Sequence, residues 1–349
     1  MMGRARSNAR ARTERLVGQM ATRLKESRRL QAVLSRVGNL QYFADLARHD
    51  DMLGDRVRVD TYFEAINKHV REGDEVIDLG TGTGLLSCFA ARTGAKVVHA
   101  VEYGPIIDAA RDVAKENGIT NIAFHPVSSR EFSLPDRVDV IVHEQLGAAL
   151  FNEHVIANVV DLRDRLLKEG GLILPHRLRL FIAPVQAEEP VYAPFAWEQT
   201  LHGLTFRSLR PYSEAHPEGY LYRGYNPPRL DAFLAEPQPI VEVDLLTVKS
   251  GDVPASIRYS EPAARDGVLH GFCLFFEAHF DEEISITTSP FDPARAVHWA
   301  VPILRTQRHD VHEGDVVSLD LGWDDLAVPT TWHWTIEVTK VQAGSVASK

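Results

Sequence analysis

Between Val57 and Pro175, short apolar runs alternate with stretches whose apolar residues return at helical spacing. Glu75–Leu79 (EVIDL), Val97–Val101 (VVHAV), Asn121–Pro126, Val138–Val142 (VDVIV) and Gly171–Leu174 read as short buried strands, with helices over Leu85–Arg92 and Ile106–Asn117. Strands alternating with helices, with few tight hairpins, predict a parallel sheet covered by helices on both faces. After Pro175 the helical period fades. Short β-rich runs follow at Leu178–Ile182, Ile240–Val248, Leu269–Phe276, Ile284–Thr288, Val297–Leu304, Val316–Leu321 and Thr331–Val338, with turn signals such as Ser250-Gly251-Asp252 and Glu313-Gly314-Asp315 between them. This texture predicts an all-β sandwich or barrel. Inside it, Arg207–Pro239 is rich in Pro, Tyr and Glu and reads as an inserted arm. At the other end of the chain, Leu16, Met20 and Leu24, then Leu30, Val33, Leu34 and Val37, follow helical spacing. Residues 1–40 therefore form a basic helical segment, 41–175 the α/β domain and 176–349 the β-rich domain.

Composition narrows the class. The chain has 349 residues, 44% hydrophobic and 25% charged, enough for a sizeable core and two or three domains. Cys88 and Cys273 make no disulfide framework, and no C-x-x-C or metal-ligand spacing occurs, so a reducing compartment and no metal are expected. No apolar run approaches the roughly 18 residues of a membrane span, and no signal-peptide core is visible, which points to the cytoplasm. The net charge of -10 is uneven: residues 1–36 carry ten Arg/Lys against two Glu, so the remainder is strongly acidic. An acidic body argues against binding a phosphate backbone and fits a cationic substrate or partner. The basic N-terminal segment packs on its own body or on a second subunit; nucleic-acid, membrane and targeting roles for it stay open.

The strongest local signal is Asp78-Leu-Gly80-Thr-Gly82-Thr-Gly84, between a predicted strand and a predicted helix. Glycines let the backbone turn tightly and approach a ligand, and in open α/β sheets ligands sit beyond the carboxyl ends of the strands. The spacing is not G-x-G-x-x-G and no P-loop Lys follows, which disfavours NAD and ATP. Glu102 ends the next strand, where a carboxylate can accept from both hydroxyls of a ribose. Loop and acid together resemble class I S-adenosylmethionine-dependent methyltransferases; an ordinary α/β turn with a surface Glu is the simpler alternative.

The VDVIV strand runs into His143-Glu144-Gln-Leu-Gly147-Ala-Ala-Leu-Phe-Asn-Glu153. Glu144 stands at the strand end, where chemistry happens in such folds, and Glu153 follows across a glycine that permits a reversal. Spacing alone leaves open whether the two carboxylates converge. A zinc-protease reading fails, because position 147 is Gly rather than His. The stretch resembles the double-glutamate loop of the protein arginine methyltransferases, S-E-x-M-G, a short spacer, then F-x-E. Tyr42-Phe43 resembles the start of that family's Y-F-x-x-Y segment. His49-Asp-Asp-Met52-Leu53 with Asp55 and Arg58 resembles its H-E-x-M-L…D…R segment, and Val297-His298-Trp299 its T-H-W.

The resemblance implies a Rossmann-like methyltransferase domain, then a β-sandwich or barrel-like domain with a dimerisation arm at about 205–236, hence a homodimer. It implies S-adenosyl-L-methionine as cofactor and the guanidino nitrogen of arginine as methyl acceptor. Glu144 and Glu153 would clamp the substrate. His298 would pair with Asp55, either helping to remove a proton or serving only as a structural bond. Met52, Trp299 and Tyr42 would border the substrate, and Arg58, with His49 nearby, would hold the cofactor carboxylate. Asp78, Gly80, Gly82, Gly84 and Glu102 would bind its aminoacyl and ribose parts, and Ser129 and Arg130 its adenine edge. Phe43 would stack near the cofactor or pack in the core.

The match departs at Leu46 for a Tyr, at a shorter Phe43–Met52 segment, at Arg130 for an acid, at His143, Gln145 and Leu146 in the glutamate loop, and at Val297 for Thr. An arginine in a protein or peptide is the leading substrate; free arginine in a biosynthetic pathway and a catalytically silent scaffold are the alternatives.

Overall fold

A computed structural model describes residues 46–188, 195–214, 222–249 and 251–341; the basic segment 1–40, Tyr42 and Phe43 lie outside them. The description opens with helices α1 (Leu46–Gly54) and α2 (Arg56–His69). Asp55 caps α2 from an extended backbone, accepting a hydrogen bond from the Arg58 N–H. Lys68 and His69 fill the last turn of α2, where positive charge suits the helix dipole.

The parallel sheet contains β1 (Glu75–Leu79), β2 (Val97–Val101), β3 (Ile122–His125), β4 (Val138–His143) and β5 (Leu167–Leu174), in the order β3-β2-β1-β4-β5. Helices α3 (Leu85–Arg92), α4 (Ile107–Glu116) and α5 (Val155–Leu166) join them. β1 and β4 are buried almost throughout, which is why they appear as unbroken apolar runs rather than alternating ones. β1 is flanked by β2 on one side and β4 on the other. The strand order reverses there and opens a crevice at the carboxyl ends of β1 and β4. Gly80 and Glu144 directly follow those two ends.

Beyond Pro175 the chain enters a second, antiparallel system. β6 (Arg177–Ala187), β13 (Gly267–His279) and β15 (Val301–Val311) form its centre, extended by β9 (Tyr222–Tyr225) and β10 (Leu230–Phe233), with β11 (Gln238–Asp244) on β6 and β14 (Ser285–Thr287) on β13. A three-stranded sheet of β12 (Ser256–Pro262), β16 (Val316–Trp323) and β17 (Trp332–Thr339) packs with it. Leu178, Leu180 and Ile182 on one face of β6 join the main core, and Phe181, Ala183 and Val185 on the other join a second apolar cluster. At the seam between the domains, Lys68 lies 2.7 Å from Asp281 and from Glu283, and His69 lies 2.6 Å from Asp281, tying α2 to the turn after β13.

Three sequence expectations change. The arm is narrower than 205–236: β9 pairs with β15 and β10 with β6, so its second half belongs to the main sheet. Pro227 and Pro228, which made that half look loop-like, sit in the turn between the two strands. What projects is the ribbon β7 (Thr200–Leu201) and β8 (Leu204–Thr205) with the short helix α6 (Arg210–Glu214). Strand β15 begins at Val301 rather than Val297, because the Val297 and His298 N–H groups are taken by Asp55 at 2.7 and 2.9 Å. β12, with sequence SIRYSEP, lacks an apolar run and passes unnoticed in the sequence.

Candidate active site

The loop after β1 is shaped by three left-handed glycines, Gly80, Gly82 and Gly84, with φ of 75°, 53° and 83°. A Cβ on Gly84 would lie 3.0 Å from the Cβ of Ala110, so here glycine serves both the turn and close packing against α4. Asp78 is fully buried and accepts from the Thr81 and Ser87 hydroxyls, each at 2.6 Å. Burial pushes its carboxyl pKa up, against those two bonds. Asp78 and Gly84 therefore shape the loop from beneath, and neither is among the residues lining the open cavity.

That cavity, of about 540 Å³, lies over the carboxyl ends of the strands. Gly80, Gly82, Glu102, Ser129 and Arg130 form one end of its wall, and Arg58, Glu144 and Glu153 the other. His49 and Met52, from α1, close its roof. Glu102 is 9% exposed; its two oxygens accept from the Gly104 N–H at 2.7 Å and the Gly82 N–H at 3.4 Å, with lone pairs left for a vicinal diol. A Cβ on Gly82 would come within 3.1 Å of the His49 ring, so the loop and α1 already form a narrow cradle.

The glutamate loop doubles back tightly. Gly147 and Leu150 pair as an antiparallel bridge, and Leu150 and His154 adopt left-handed backbones with φ of 61° and 59°. Both are non-glycine residues, so the loop holds backbone strain between the two glutamates at Leu150 and directly after the second at His154. The Asn152 side chain accepts from the Ala149 N–H at 3.0 Å and fills the space beside Gly147. Asn158 of α5 donates to the Gln145 side chain at 3.1 Å and to the Glu153 carbonyl at 3.4 Å, joining the two limbs. A methyl on Gly147 would overlap Asn152 at 2.1 Å. Gly147→Ala should therefore reduce turnover by about tenfold or more through displaced glutamates, at near-normal cofactor affinity, as steady-state kinetics and cofactor titration would show.

The loop's two carboxylates converge on the same cavity, which spacing alone left undecided. Arg58 Nη2 donates to Glu144 Oε2 at 2.8 Å, and Nη1 donates to the Met52 carbonyl at 3.2 Å. Burial works against the charge on Arg58, but the Glu144 carboxylate outweighs it and raises the guanidinium pKa. Among the described residues Glu153 has no such partner. Burial first, and the charge of Glu144 second, raise its pKa to about 8, against the opposing effect of Arg58. The site thus brings together a carboxylate paired with an arginine and a carboxyl whose pKa is raised to about 8.

A second set of residues steadies this arrangement from behind. Asp55 is 1% exposed; its Oδ2 lies 3.0 Å from His298 Nδ1 and also accepts the two N–H groups that displaced the start of β15. Burial raises its pKa, but the bonds from the His298 side chain and from the His298, Arg58 and Val297 backbone outweigh it and hold it at about 2. The Trp299 Nε1–H donates to the Leu146 carbonyl at 2.5 Å, and its ring stands edge-on to Phe276 at 5.1 Å. Asp55, His298 and Trp299 thus join the cap of α2 to the glutamate loop. None of the three is among the residues lining the cavity; they pack behind the glutamate loop that does.

Asp55→Asn should cost about 1–3 kcal/mol of unfolding free energy. Because its folded pKa is depressed, the Asp55 contribution is full above about pH 4 and is lost as pH falls towards 2. The deficit of the variant in chemical denaturation should accordingly shrink with acid.

Sequence reasoning missed two supports. Tyr62 of α2 donates its hydroxyl to the His143 carbonyl at 2.9 Å, and His143 Nε2 lies 2.9 Å from the Pro175 carbonyl. His143 is fully buried, which lowers its pKa to about 4 and keeps the ring neutral, so Nε2 is the donor to Pro175. The unusual His directly before Glu144 was the available signal; nothing local marks Tyr62.

Comparison with known proteins places this geometry. Residues 60–175 match the model for ribosomal protein L11 methyltransferase, and residues 179–325 match the arginine methyltransferase oligomerization subdomain. A probable protein arginine N-methyltransferase 6.1 from Oryza sativa subsp. indica is 32% identical over 305 residues, which are 85% of this chain and 77% of the relative. Protein arginine N-methyltransferase PRMT10 of Arabidopsis thaliana is 30% identical over 317 residues, 80% of this chain and 82% of the relative. The chain belongs to the protein arginine N-methyltransferase family.

Among solved members of that family, Arabidopsis thaliana protein arginine methyltransferase 10 superposes with a TM-score of 0.69 at 26% identity, covering 86% of this chain and 99% of that one. The Trypanosoma brucei PRMT1 enzyme–prozyme heterotetrameric complex with AdoHcy gives a TM-score of 0.74 at 22% identity, covering 86% of this chain and 95% of that one, a likeness of fold. The arginine N-methyltransferase family uses S-adenosylmethionine as methyl donor, and the cavity fits that group. It offers glycine-lined backbone and a strand-end carboxylate, together with a buried Arg58 Nε that has no hydrogen-bond partner among the described residues.

Proposed function

We propose that this protein transfers a methyl group from S-adenosyl-L-methionine to a guanidino nitrogen of arginine in a protein or peptide. The observation that carries the reading is the meeting of Glu144 and Glu153 in one cavity with the glycine loop and Glu102. When bound, S-adenosylmethionine supplies an electrophilic methyl on a sulfonium centre. Gly80, Gly82 and Glu102 would hold its aminoacyl and ribose parts, Ser129 and Arg130 its adenine edge, and Arg58 its carboxylate.

The chain's own residues then face an electrostatic problem. A guanidinium stays protonated at any ordinary pH and must approach a second cation. At short range in a site of low dielectric, that repulsion reaches several kcal/mol. Glu144 accepts N–H bonds from the guanidinium, its charge partly offset by Arg58. Glu153 gives up its proton to solvent as the guanidinium arrives and adds the second charge-assisted contact. Two fixed carboxylates orient the planar group and localise its positive charge away from the reacting nitrogen. The proton that leaves the methylated nitrogen has an acceptor within the same carboxylate pair.

The projecting ribbon supports a homodimer as part of this reading. It leaves Leu201, Leu204, Leu209 and Tyr212 between 43% and 70% exposed on a segment within the match to the oligomerization subdomain. Cytoplasmic location belongs to the reading as well, supported by two buried free thiols. The test is incubation with radiolabelled cofactor and, in parallel, an Arg/Gly-rich peptide and free L-arginine. Label in the peptide is expected. Label in free arginine alone would move the substrate to a small guanidine, and label in neither would leave a cofactor-binding scaffold.

A further inference from the structure

One end of the cavity wall is a short turn of chain after β3. Val127, Ser128, Ser129, Arg130 and Glu131 line it in succession. The turn has few bonds of its own. The Glu131 and Phe132 N–H groups both donate to the Ser128 carbonyl, at 2.9 and 3.0 Å, and the Arg130 N–H donates to the Ser128 hydroxyl at 3.3 Å. Among the described residues, no backbone N–H reaches the Ser129 or the Phe132 carbonyl.

One side chain of α5 takes both of those carbonyls. Arg165 Nη1 donates to the Phe132 carbonyl at 2.8 Å, and Nη2 to the Ser129 carbonyl at 2.9 Å. Asp161, one turn back on the same helix, accepts from Nη2 at 2.6 Å and from Nε at 3.2 Å, which fixes the plane of the guanidinium. Three nitrogens of one rigid fork thus hold two carbonyls and a carboxylate, an arrangement that a compact ammonium cannot reproduce. A weaker tie runs the other way, from Arg130 Nη2 to the Ala157 carbonyl of α5 at 3.4 Å. Behind the turn, the Phe132 ring is buried and packs on the His125 ring, with centroids 4.8 Å apart.

Neither Arg165 nor Asp161 is among the residues lining the cavity. Arg165 stands about three helical turns along α5 from Glu153, remote from the reacting end. Without its guanidinium, the two carbonyls would turn to water and the wall would lose its fixed shape. The glycine loop, Glu102 and Arg58 make no bond to the clamp.

We propose that Arg165, steered by Asp161, is the positioning residue that sets the wall against which the purine base of the cofactor is read. The proposal rests on the reading that S-adenosylmethionine binds with its adenine at Ser129 and Arg130. It adds that base recognition is held from α5, separately from the aminoacyl and ribose contacts.

The test uses the full-length protein and two ligands that differ only at the edge of the base, S-adenosylhomocysteine and S-inosylhomocysteine. Hypoxanthine exchanges donor for acceptor at two adjacent ring positions, so a rigid wall built for adenine mismatches it. Calorimetric titration of wild type should favour the adenine ligand by about tenfold or more. Arg165→Met should lose about tenfold in affinity for S-adenosylhomocysteine and stay within about twofold for S-inosylhomocysteine, so the preference collapses. Arg165→Lys should recover part of it, and Asp161→Asn, which keeps the guanidinium, should lose about threefold on the adenine ligand alone. In steady state, the KM for S-adenosylmethionine should rise in Arg165→Met while kcat stays within about twofold. Retained binding of S-inosylhomocysteine shows that the variants are folded. An equal loss for both ligands, in Arg165→Met or in the milder Asp161→Asn, would mean a general support of the fold and overturn the proposal. So would an unchanged preference, or a wild type that binds the two ligands alike. Failure of wild type to bind S-adenosylhomocysteine would sink the cofactor reading itself; normal binding that Arg165→Met leaves untouched would sink only the clamp.

Discussion

Glu153→Gln should lower kcat by about 10²–10³-fold while S-adenosylhomocysteine affinity stays within a few-fold, because Gln keeps the shape and one acceptor but cannot become the second negative charge. The same change should stabilise the empty protein in alkali. The Glu153 pKa is raised in the folded protein to about 8 from an ordinary value near 4.5, by burial and then by the charge of Glu144. Between those pH values the folded state binds more protons than the unfolded one, so stability falls as pH rises. The Gln variant lacks this term. Its melting temperature should match wild type near pH 5, exceed it increasingly up to about pH 8 and keep that margin above it. A variant that turns over normally, or a melting difference that does not grow with pH, would remove Glu153 from the role given to it. The residue that makes the site costly to fold is then the one the chemistry needs.

Arg58→Met should destabilise the protein by about 3–5 kcal/mol in chemical denaturation and weaken cofactor binding at least tenfold. Arg58 is 6% exposed, and its Nη2 is 2.8 Å from a Glu144 side chain itself only 10% exposed. Removing the guanidinium leaves a buried carboxylate without its counter-charge, beside a second carboxyl. The loss comes from the stranded Glu144, so Arg58→Met/Glu144→Gln should recover most of the stability and none of the activity. Comparable stability for the single and double variants would mean that the pair does not organise the site. Lys is a poor substitute, since an ammonium lacks the fork that reaches Glu144 and the Met52 carbonyl together.

The fold was legible where local sequence controls it. β1, its glycine loop and α3 follow one another within 18 residues, and β4 runs directly into Glu144, so pattern and register suffice. The ends of the β-domain strands were less legible. β9 and β12 have polar or proline-flanked sequences that earn their place by pairing with β15 and β16, which local pattern does not report. The candidate site divides in the same way. Glu144, Glu102 and Gly82 could be placed from strand ends alone. The Arg58–Glu144 pair spans 86 positions and the Asp55–His298 pair 243, and nothing local signals either of them. Family resemblance supplied the second pair but not its consequence, that both residues lie behind the cavity. Nor does it report that the Trp299 indole N–H is bonded to the Leu146 carbonyl, supporting the glutamate loop.

The central electrostatic claim is that a neutral Glu153 becomes an anion when a guanidinium enters beside Glu144. Calorimetric titration of the S-adenosylhomocysteine-loaded protein with an arginine peptide, at pH 7 in buffers of different ionisation enthalpy, tests it directly. The account predicts that binding releases close to one proton, and that the release vanishes in Glu153→Gln and with a citrulline peptide. A binding enthalpy independent of the buffer, or equal binding of the arginine and citrulline peptides, would contradict it.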